Sequence, residues 1–445
     1  MDSKGVKKVY IETYGCQMNF SDSEIVASLM QDDGYEICDE SKHADVVFVN
    51  TCSIRDNAEQ RVRKRLRELK SLKKGNPFMK IGVLGCMAER LKQQLLEEEQ
   101  SVDMIVGPDA YRDLPALLAR ADEGEKAINV ILSTRETYSD ITPVRLDKNG
   151  VTAFISIMRG CENFCSYCVV PYTRGKERSR DPQTIISEAR DLIEKGYREV
   201  TLLGQNVNSY HWDEDGKTST FYELLEQVAD VDPRLRVRFA TSHPKDISDE
   251  LLQTIGRHRN ICDAIHLPVQ SGSNNMLKLM NRKYTREWYL DRISAIKKYI
   301  PGCAISTDII AGFCSETEED HQNTISIMKE VGFDYAFMFK YSERPNTIAQ
   351  KKLEDNISEE VKSARLQEII NLQQQLSLES NKNDVGHTFE VLVEGFSRKS
   401  EKSLMGRNSQ NKVVVFPRED FNKGDYVKVK VKDCTAATLI GESVE

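Results

Sequence analysis

Three cysteines in one short loop are the residues of this chain whose spacing most clearly predicts chemistry. Cys161, Cys165 and Cys168 follow the apolar run 153–158, with three and then two residues between them. Three thiolates so close together can hold three irons of a cubane iron–sulfur cluster and leave the fourth iron without a protein ligand. Structural zinc takes a fourth protein ligand, and no further Cys or His follows within the next few residues. The spacing therefore predicts an iron–sulfur site with one open iron.

A second set of three cysteines lies in the N-terminal third of the chain. Cys16, Cys52 and Cys86 each follow a predicted strand and precede a predicted helix. The carboxyl ends of parallel strands share one edge of a sheet, where ligands bind, so residues far apart in sequence can converge there. Gly15 and Gly85 permit the tight turns that such a site requires. One buried thiol at a strand end is ordinary, but three at related positions favour a second three-cysteine cluster.

The N-terminal part, residues 1–147, alternates predicted strands and helices in units of roughly 35 residues, a length typical of a strand, a loop and a helix. This alternation predicts an α/β fold with an open, mostly parallel sheet. One helix is expected to begin near the capping residues Ser21 and Asp22, and another to extend from Arg55 to about Lys74. The predicted strands cover 9–14, 44–50, 80–84 and 102–106.

The pattern of the central part, residues 148–380, predicts a partial (βα)6 barrel. A connecting helix is predicted over 354–383, so it ends a few residues beyond this part. Function in such barrels lies at the carboxyl ends of the strands, where the Cys161 loop follows the first strand. Tyr167 is expected to pack on a cofactor ring. The predicted strands cover 153–158, 199–203, 237–240, 264–269, 304–310 and 335–341. The polar residues expected to line a cofactor pocket include Gln205, Asn206, Ser242, Gln270 and Asp308.

The C-terminal part, residues 381–445, changes to short alternating strands over 388–393, 412–416 and 426–431. Such a pattern predicts a small β-barrel. Ten Lys or Arg residues stand against four Asp or Glu residues between Gly395 and Lys432, in a chain whose net charge is -8. This local excess favours an acidic polymer as partner, although lysines on solvated strand faces would give the same composition.

The composition is that of a globular protein, with 39% hydrophobic and 30% charged residues. No apolar run of about 18 residues is present, and the N-terminus lacks the apolar segment of a signal peptide. We therefore expect a cytoplasmic protein with no membrane contact. In a reducing compartment, eleven cysteines indicate metal ligands and free thiols rather than disulfides. The cysteines interpreted as structural are Cys38, Cys262, Cys303, Cys314 and Cys434.

The cysteine loop, read with Gly160 and the following Val-Val-Pro-Tyr-Thr-Arg-Gly over 169–175, resembles the radical S-adenosylmethionine (SAM) enzymes and, more narrowly, the methylthiotransferases. The segments 14–19, 50–55 and 85–90 resemble the auxiliary-cluster motifs of that family. The stretch 174–180 and the closing barrel are similar to the tRNA 2-methylthio-N6-isopentenyladenosine synthase branch and its RNA-binding TRAM domain. The resemblance extends over essentially the whole chain.

Two loops depart from the family pattern. The chain has Cys314-Ser315 where members usually have Pro-Gly, and Asn346 where they have glycine. Because glycine adopts backbone conformations that other residues avoid, both changes predict an altered turn.

The resemblance implies two [4Fe-4S] clusters and SAM as cofactors. The cluster at Cys161, Cys165 and Cys168 would bind SAM and generate a 5′-deoxyadenosyl radical that takes hydrogen from carbon 2 of a modified adenine. The cluster at Cys16, Cys52 and Cys86 would carry the sulfur, methylated by another SAM molecule, for transfer to that carbon. An electron donor such as a flavodoxin-type reductase system is implied, and we expect the chain to act as a monomer.

The implied substrate is a tRNA anticodon stem-loop carrying isopentenyladenosine, whose bases can be splayed into a pocket. Residues expected near the substrate base are Arg174, Lys176, Arg178 and Arg180. Residues expected to hold the stem phosphates are Arg398, Lys399 and Arg407.

Three other interpretations remain open from the sequence. The chain could methylthiolate a ribosomal-protein aspartate or another modified tRNA adenosine, since these reactions share the cluster motifs. It could instead be an RNA-binding protein stabilised by zinc, with no catalytic activity. About eight irons per chain would favour the two-cluster enzyme over the zinc protein.

Overall fold

A computed structural model describes residues 6–53, 56–147 and 149–444, with the side chains of 56–58 left out. Ile54 and Arg55, which belong to one of the cysteine motifs and to the predicted start of a helix, lie outside the described residues. The described chain forms two compact units. The N-terminal unit comprises the chain up to Leu146 with Met158–Glu162 and Val169–Thr184, and the C-terminal unit comprises the remainder.

The N-terminal unit is built on one six-stranded parallel sheet with strand order β2-β1-β3-β4-β5-β6. The four predicted strands are present. The additional edge strands β2 and β6 have two and three residues, too few to produce a recognisable alternation. The elements are β1 (Lys8–Tyr14), α1 (Gln17–Asp32), β2 (Glu36–Ile37), β3 (Val46–Thr51), α2 (Asp56–Gly75), β4 (Lys80–Gly85), α3 (Cys86–Leu91), α4 (Gln93–Glu98), β5 (Met104–Val106), α5 (Leu114–Asp122) and β6 (Ala127–Asn129).

Strand β3 explains why this sheet is covered on both faces. All six of its residues are buried. Val46 and Phe48 join the apolar cluster on one face of the sheet, whereas Val47 and Val49 join the cluster on the other. A continuous apolar strand of this kind is typical of a parallel sheet with helices on each side.

Helix α1 begins earlier than its sequence predicts. The helix covers Gln17–Asp32 and Cys16 is its N-cap. Ser21 and Asp22, expected as capping residues, therefore lie inside the helix, and both are buried. Asn19 occupies the third helical position and completes a capping box with Cys16.

The central elements contain the six predicted barrel strands, with bounds that shift by a few residues. They form two parallel three-stranded sheets, β13-β10-β7 and β14-β15-β16, joined by a single parallel bridge between Val237 and Ile261. The elements are β7 (Thr152–Ser156), β8 (Met158–Arg159), α6 (Val170–Arg174), β9 (Arg178–Ser179), α7 (Pro182–Glu194), β10 (Glu199–Leu203), β11 (His211–Glu214), β12 (Lys217–Thr220), α8 (Phe221–Ala229), β13 (Arg236–Phe239), α9 (Asp249–Arg257), β14 (Ala264–His266), α10 (Asn274–Leu279), α11 (Arg286–Tyr299), β15 (Ala304–Ala311), α12 (Glu318–Val331), β16 (Tyr335–Lys340), α13 (Ile348–Lys352) and α14 (Glu359–Asn383).

The two loop positions that depart from the family pattern keep a glycine-like backbone. Ser315 has φ +60° and Asn346 has φ +69°. The Ser315 amide donates to Asn356 Oδ1 at 2.9 Å, which helps hold this conformation. Asparagine tolerates the left-handed region better than most residues, so the turn at Asn346 costs little.

The C-terminal strands close into a five-stranded barrel in the order β17-β18-β19-β21-β20. In β20, Val427, Val429 and Val431 are buried in its core, whereas the intervening lysines are exposed. The polar strand β18 and the short β21 carry weak alternation and were absent from the sequence prediction. The strands are β17 (Thr388–Ser397), β18 (Ser400–Arg407), β19 (Val413–Pro417), β20 (Tyr426–Cys434) and β21 (Leu439–Ser443).

Two buried arginines attach this barrel to the central strands within the C-terminal unit. Arg238 donates to the carbonyls of Asn408 at 2.7 Å and Ser409 at 3.0 Å, and its Nε donates to Glu199 at 2.8 Å. Arg236 donates to the Arg407 carbonyl at 2.8 Å. These bonds fix the small barrel at the amino end of β13.

Among the helices of the described residues, none combines the length and apolar character of a membrane-spanning segment.

Candidate functional site

The three N-terminal cysteines follow three neighbouring strands that end together. Tyr14 pairs with Thr51, and Thr51 pairs with Gly85, so the carboxyl ends of β1, β3 and β4 are in register. Cys16, Cys52 and Cys86 come one or two residues later. The sheet therefore presents the three cysteines at one edge, where an open α/β sheet binds ligands.

The polar residues of the cysteine motifs join these strand ends. Asn19 Nδ2 donates to Asn50 Oδ1 at 3.2 Å and to the Thr51 carbonyl at 3.1 Å. Thr51 Oγ1 donates to the Leu84 carbonyl at 2.6 Å. Gly85 has φ +90°, and a Cβ there would stand 2.4 Å from Asn50 Oδ1. The motif residues thus hold the cysteine-bearing turns, and no larger residue fits at Gly85.

The three thiols differ in accessibility and acidity. Cys16 is exposed, whereas Cys52 and Cys86 are buried. A hydrogen bond from Cys52 lowers the pKa of Cys16 to about 6, and the charge of Arg174 adds to this effect. Burial raises the pKa of Cys86, and the Arg174 guanidinium opposes this effect. Thiolates are the form that binds metal, and Arg174 stabilises two of them here.

Arg174 belongs to a buried ionic network next to these cysteines, within the N-terminal unit. Its Nε donates to Cys86 Sγ at 3.2 Å and its Nη2 to Asp22 Oδ2 at 2.8 Å. Asp22 also accepts from Arg159 Nη1 at 2.8 Å. Arg178 forms a second buried ion pair, with Asp109, at 2.9 Å. All five side chains are nearly inaccessible to solvent.

This network contradicts the expectation that the arginines of the stretch 174–180 lie near the RNA base. Arg174, Arg178 and Arg180 are buried, and Arg180 donates to Thr184 Oγ1 at 2.9 Å. Of the four residues predicted near the RNA base, only Lys176 is exposed. A buried guanidinium already paired with a carboxylate is not available to a phosphate, so the structure gives Arg174 and Arg178 an internal role.

The loop with the other three cysteines passes from one unit to the other. In the N-terminal unit, the Cys161 amide donates to the Gly175 carbonyl at 3.1 Å. In the C-terminal unit, the Cys168 amide donates to the Cys165 carbonyl at 2.9 Å. The first bond fixes the backbone at Cys161, and the second closes a turn from Cys165 to Cys168.

A second buried arginine contacts a cysteine of this loop within the C-terminal unit. Arg282 Nη1 donates to Cys165 Sγ at 3.1 Å, while its Nε donates to Tyr284 and its Nη2 to the Pro268 carbonyl. Arg282 is not among the residues predicted for the site. Its only local signal is an Arg-Lys-x-Thr segment after a helix, which does not indicate a distant cysteine.

The polar residues predicted to line a cofactor pocket lie after successive strands of the C-terminal unit. Gln205 Oε1, Asn206 Oδ1 and Ser242 Oγ are buried, and within the described part of the chain none of these atoms has a hydrogen-bond partner. Buried polar atoms are rarely left unsatisfied in proteins. These residues therefore fit a polar ligand such as SAM, which carries amino, carboxylate and ribose groups.

The other predicted cofactor residues have partners inside the protein. Tyr167 packs edge-to-face on Phe313, with ring centroids 6.3 Å apart. Asp308 Oδ1 lies 3.4 Å from His266 Nε2. Gln270 has φ +70°, and its amide donates to the Asp308 carbonyl at 2.8 Å. This backbone bond sets the position of Gln270 at the end of the barrel strands.

The turn between β17 and β18 is exposed and basic. Arg398 and Lys399 lie in this turn, whereas Arg407 lies at the other end of β18 and pairs with Glu394 at 3.2 Å. Arg418 lies over the exposed ring of Phe396, 4.7 Å from its centroid. Cations beside an exposed aromatic ring are typical of surfaces that bind nucleic acid.

No three His, Cys, Asp or Glu side chains of the described residues are gathered around the position of a single metal ion. Cysteines of a cubane each bind a different iron, so they need not meet at one ion. Two observations fit a cluster at Cys16, Cys52 and Cys86: the shared edge of the sheet and the cationic hydrogen-bond donor at Cys86.

His243, which lies beside the Arg282–Tyr284 pair, provides a pH-dependent test of the packing near Cys165. Burial, with the charges of Arg282 and Lys245, lowers the pKa of His243 to about 2. The unfolded imidazole titrates near 6.5, so stability is complete above that pH and falls progressively as the pH drops from about 6.5 toward the folded pKa. We expect a loss of about 2 kcal/mol between pH 7 and pH 5.

The measurement is denaturant unfolding across this pH range with wild type and His243→Asn, which should remove most of this slope. His211→Asn, at an exposed strand position, is the control and should leave the slope unchanged. An identical slope for wild type and His243→Asn would contradict the prediction.

Comparison with known families matches three parts of the chain. Residues 8–107 match the family described as "Uncharacterized protein family UPF0004". Residues 155–328 match the radical SAM superfamily, and residues 382–444 match the TRAM domain. The described β-barrel coincides with the last of these matches.

Solved structures with a similar fold are radical SAM enzymes. The methyltransferase TsrM from Kitasatospora setae aligns with a TM-score of 0.55 and 13% identity, over 75% of this chain and 72% of that one. The cobalamin-dependent enzyme OxsB aligns with a TM-score of 0.55 and 12% identity, over 96% of this chain and 65% of that one. At such identities the likeness concerns the fold alone.

Relatives with much higher identity cover the full length. The tRNA-2-methylthio-N(6)-dimethylallyladenosine synthase of Parabacteroides distasonis is 58% identical over 99% of this chain and 96% of its own length. The enzyme of the same name from Phocaeicola vulgatus is 59% identical over 98% of this chain and 96% of its own length. The chain therefore belongs to the tRNA-2-methylthio-N(6)-dimethylallyladenosine synthase family of the radical SAM superfamily.

Proposed function

We propose that the chain methylthiolates carbon 2 of N6-isopentenyladenosine, also called N6-dimethylallyladenosine, next to the anticodon of tRNA. The observation that carries this proposal is the placement of Cys16, Cys52 and Cys86 after three strands that end in register. A radical SAM enzyme needs only its loop cysteines, so a second three-cysteine set indicates a further step. Transfer of sulfur is the step for which the family uses a second cluster.

Each of the two cysteine sets would hold one [4Fe-4S] cluster, with Cys161, Cys165 and Cys168 as ligands of the first and Cys16, Cys52 and Cys86 as ligands of the second. When bound, the first cluster and SAM would supply one-electron chemistry at an unactivated C–H bond, and the second would supply sulfur, neither of which amino-acid side chains can provide. Arg282 and Arg174 would each hold one cysteine sulfur of a set by a charged hydrogen bond.

The residues around the first set would bind and orient SAM. Gln205, Asn206 and Ser242 offer unpartnered polar atoms to its amino-acid and ribose groups. Gln270 and Asp308 follow on the next strands, and Tyr167 would provide an aromatic contact beside the last loop cysteine. Holding SAM in one orientation restricts the reaction to one carbon of the substrate.

Lys176 and the hairpin end of the small barrel would bind the RNA. The exposed Arg398 and Lys399 are suited to stem phosphates, and Arg407, paired with Glu394 at the other end of β18, would contact a separate phosphate. Arg236 and Arg238 hold the small C-terminal barrel to the central strands. This basic surface would therefore keep a fixed distance from the carboxyl ends of the central strands. The two clusters, SAM, and the domain division at residues 147 and 380 are parts of the same proposal.

We further propose that the chain acts as a monomer in the cytoplasm, where tRNA is modified, and receives electrons from a flavodoxin-type reductase system. Methylthiolation of a ribosomal-protein aspartate is the competing function in the same enzyme class. The exposed basic hairpin beside Phe396 favours RNA over a protein substrate.

The test is an anaerobic assay with reconstituted protein, SAM labelled on its methyl group, an isopentenyladenosine-containing anticodon stem-loop and the ribosomal protein. We expect about eight irons per chain, little zinc, and label on the RNA alone. A stem-loop with unmodified adenosine is the matched control and should remain unlabelled. Label on protein alone would favour the competing enzyme, and colourless protein loaded with zinc would contradict both enzyme functions.

A further inference from the structure

Arg174 has one buried nitrogen for which the protein supplies no acceptor. Its Nε contacts Cys86 Sγ and its Nη2 contacts Asp22, but its Nη1 is buried and has no hydrogen-bond partner among the described residues. Desolvating one nitrogen of a cation without an acceptor is costly. An acceptor that the polypeptide does not contain, placed beside Nη1, would remove this cost.

The position of Arg174 indicates the chemistry of that acceptor. Its guanidinium already donates to the sulfur of Cys86, one of the three cysteines at the shared edge of the sheet, at 3.2 Å. An iron–sulfur cluster brings sulfide atoms into the same space, and sulfide accepts hydrogen bonds from N–H groups. The guanidinium of arginine carries donors on three nitrogens in one plane, so Nε can donate to Cys86 while Nη1 donates in a different direction, which a lysine ammonium cannot reproduce.

We propose that Arg174 is a positioning residue for the auxiliary cluster, donating from Nε to the Cys86 thiolate and from Nη1 to a sulfur of the cluster. This inference rests on the proposed function for the existence of that cluster. Hydrogen bonds to cluster sulfurs stabilise the reduced, more negative state and so raise its reduction potential. Arg174 therefore makes the auxiliary cluster easier to reduce and retains it at the sheet edge.

The buried network provides a matched control for this role. Arg159 shares Asp22 with Arg174, at the same 2.8 Å distance, and is equally buried. Its partners are Asp22, the Pro108 carbonyl and Asp109, none of which is a cysteine. Its Nε is also buried and has no hydrogen-bond partner among the described residues, but it lies 3.6 Å from the Asp109 carboxylate. Substituting lysine at either position keeps the positive charge and leaves Asp22 with its other arginine. Only the change at position 174 removes donors from sulfur.

The experiment is a redox titration of reconstituted, full-length Arg174→Lys and Arg159→Lys, followed by electron paramagnetic resonance. The same substitutions combined with Cys161→Ala, Cys165→Ala and Cys168→Ala isolate the auxiliary signal. We expect Arg174→Lys to lower the potential of the auxiliary cluster, and to lose iron to a chelator roughly 10–100-fold faster than wild type. Arg159→Lys and the signal of the loop cluster should stay unchanged.

Equal potentials and equal iron loss for wild type, Arg174→Lys and Arg159→Lys would overturn the proposal, as would equal shifts in both variants. If Arg174→Lys fails to retain the cluster at all while Arg159→Lys retains it, the holding role is supported. A wild-type protein without a second cluster would instead refute the proposed function, and iron content before any titration distinguishes that outcome.

Discussion

Replacing Cys161, Cys165 and Cys168 with alanine should abolish cleavage of SAM to 5′-deoxyadenosine as well as methylthiolation, each to below about 10⁻³ of wild type. Replacing Cys16, Cys52 and Cys86 should abolish methylthiolation to the same extent but leave SAM cleavage measurable. The reason is that each set would hold its own cluster and perform its own step. One set lies on the loop after β8 and the other at the shared end of β1, β3 and β4.

Both products are measured by liquid chromatography and mass spectrometry in the same anaerobic reaction. Cys38→Ala, which changes a partly exposed cysteine outside both sets, is the control and should retain both activities. Loss of SAM cleavage in the Cys16, Cys52 and Cys86 variant, with cleavage preserved in the loop variant, would reverse the assignment of the two sets.

Asp22→Asn should destabilise the protein by about 3–5 kcal/mol, because the substitution leaves two buried arginines without their shared carboxylate. Asp22 is fully buried and accepts from Arg159 and Arg174 at 2.8 Å each. Burial alone would raise the pKa of Asp22, but the two guanidinium groups outweigh it and hold the pKa below its usual value. The stability that this carboxylate contributes is therefore present above its unfolded pKa of about 3.9 and is lost as the pH falls through the folded pKa.

Denaturant unfolding of the protein at neutral pH measures this effect. Asp140→Asn is the matched control, since Asp140 pairs with Arg112 at the surface and should contribute less than about 1 kcal/mol. Combining Asp22→Asn with Arg159→Met should cost less than the sum of the single changes, because the two residues share one network. Equal stability of Asp22→Asn and Asp140→Asn would contradict a structural role for Asp22.

The elements that hold the cysteines were predictable from sequence because their signals are local. Strand β3 is a continuous apolar run, and a cysteine directly follows it, as after β1 and β4. Parallel strands joined by helices bring their carboxyl ends to one edge of the sheet. The convergence of three distant cysteines therefore follows from the regular alternation of strands and helices. The cluster loop with Cys161 is predictable from the spacing of its three cysteines alone.

The buried charged residues beside the cysteines were not predictable, since their partners are distant in sequence. Asp22 is of a residue type that commonly caps helices. The helix nevertheless begins at Gln17, and Asp22 pairs with Arg159 and Arg174. Arg174 lies in a basic stretch that suggested RNA, but 88 positions separate it from Cys86. Arg282 and Cys165 are separated by 117. The local charge of a sequence segment does not show whether an arginine is exposed and binds a phosphate or is buried beside a carboxylate or a thiolate.

The proposed tRNA methylthiotransferase function is tested most directly by mass spectrometry of tRNA nucleosides from cells that lack this gene. We expect 2-methylthio-N6-isopentenyladenosine to be absent there, N6-isopentenyladenosine to accumulate, and the wild-type gene to restore the methylthio group. Genes with either cysteine set replaced by alanine should fail to restore it. Unchanged 2-methylthio-N6-isopentenyladenosine in cells without the gene would contradict the assigned function.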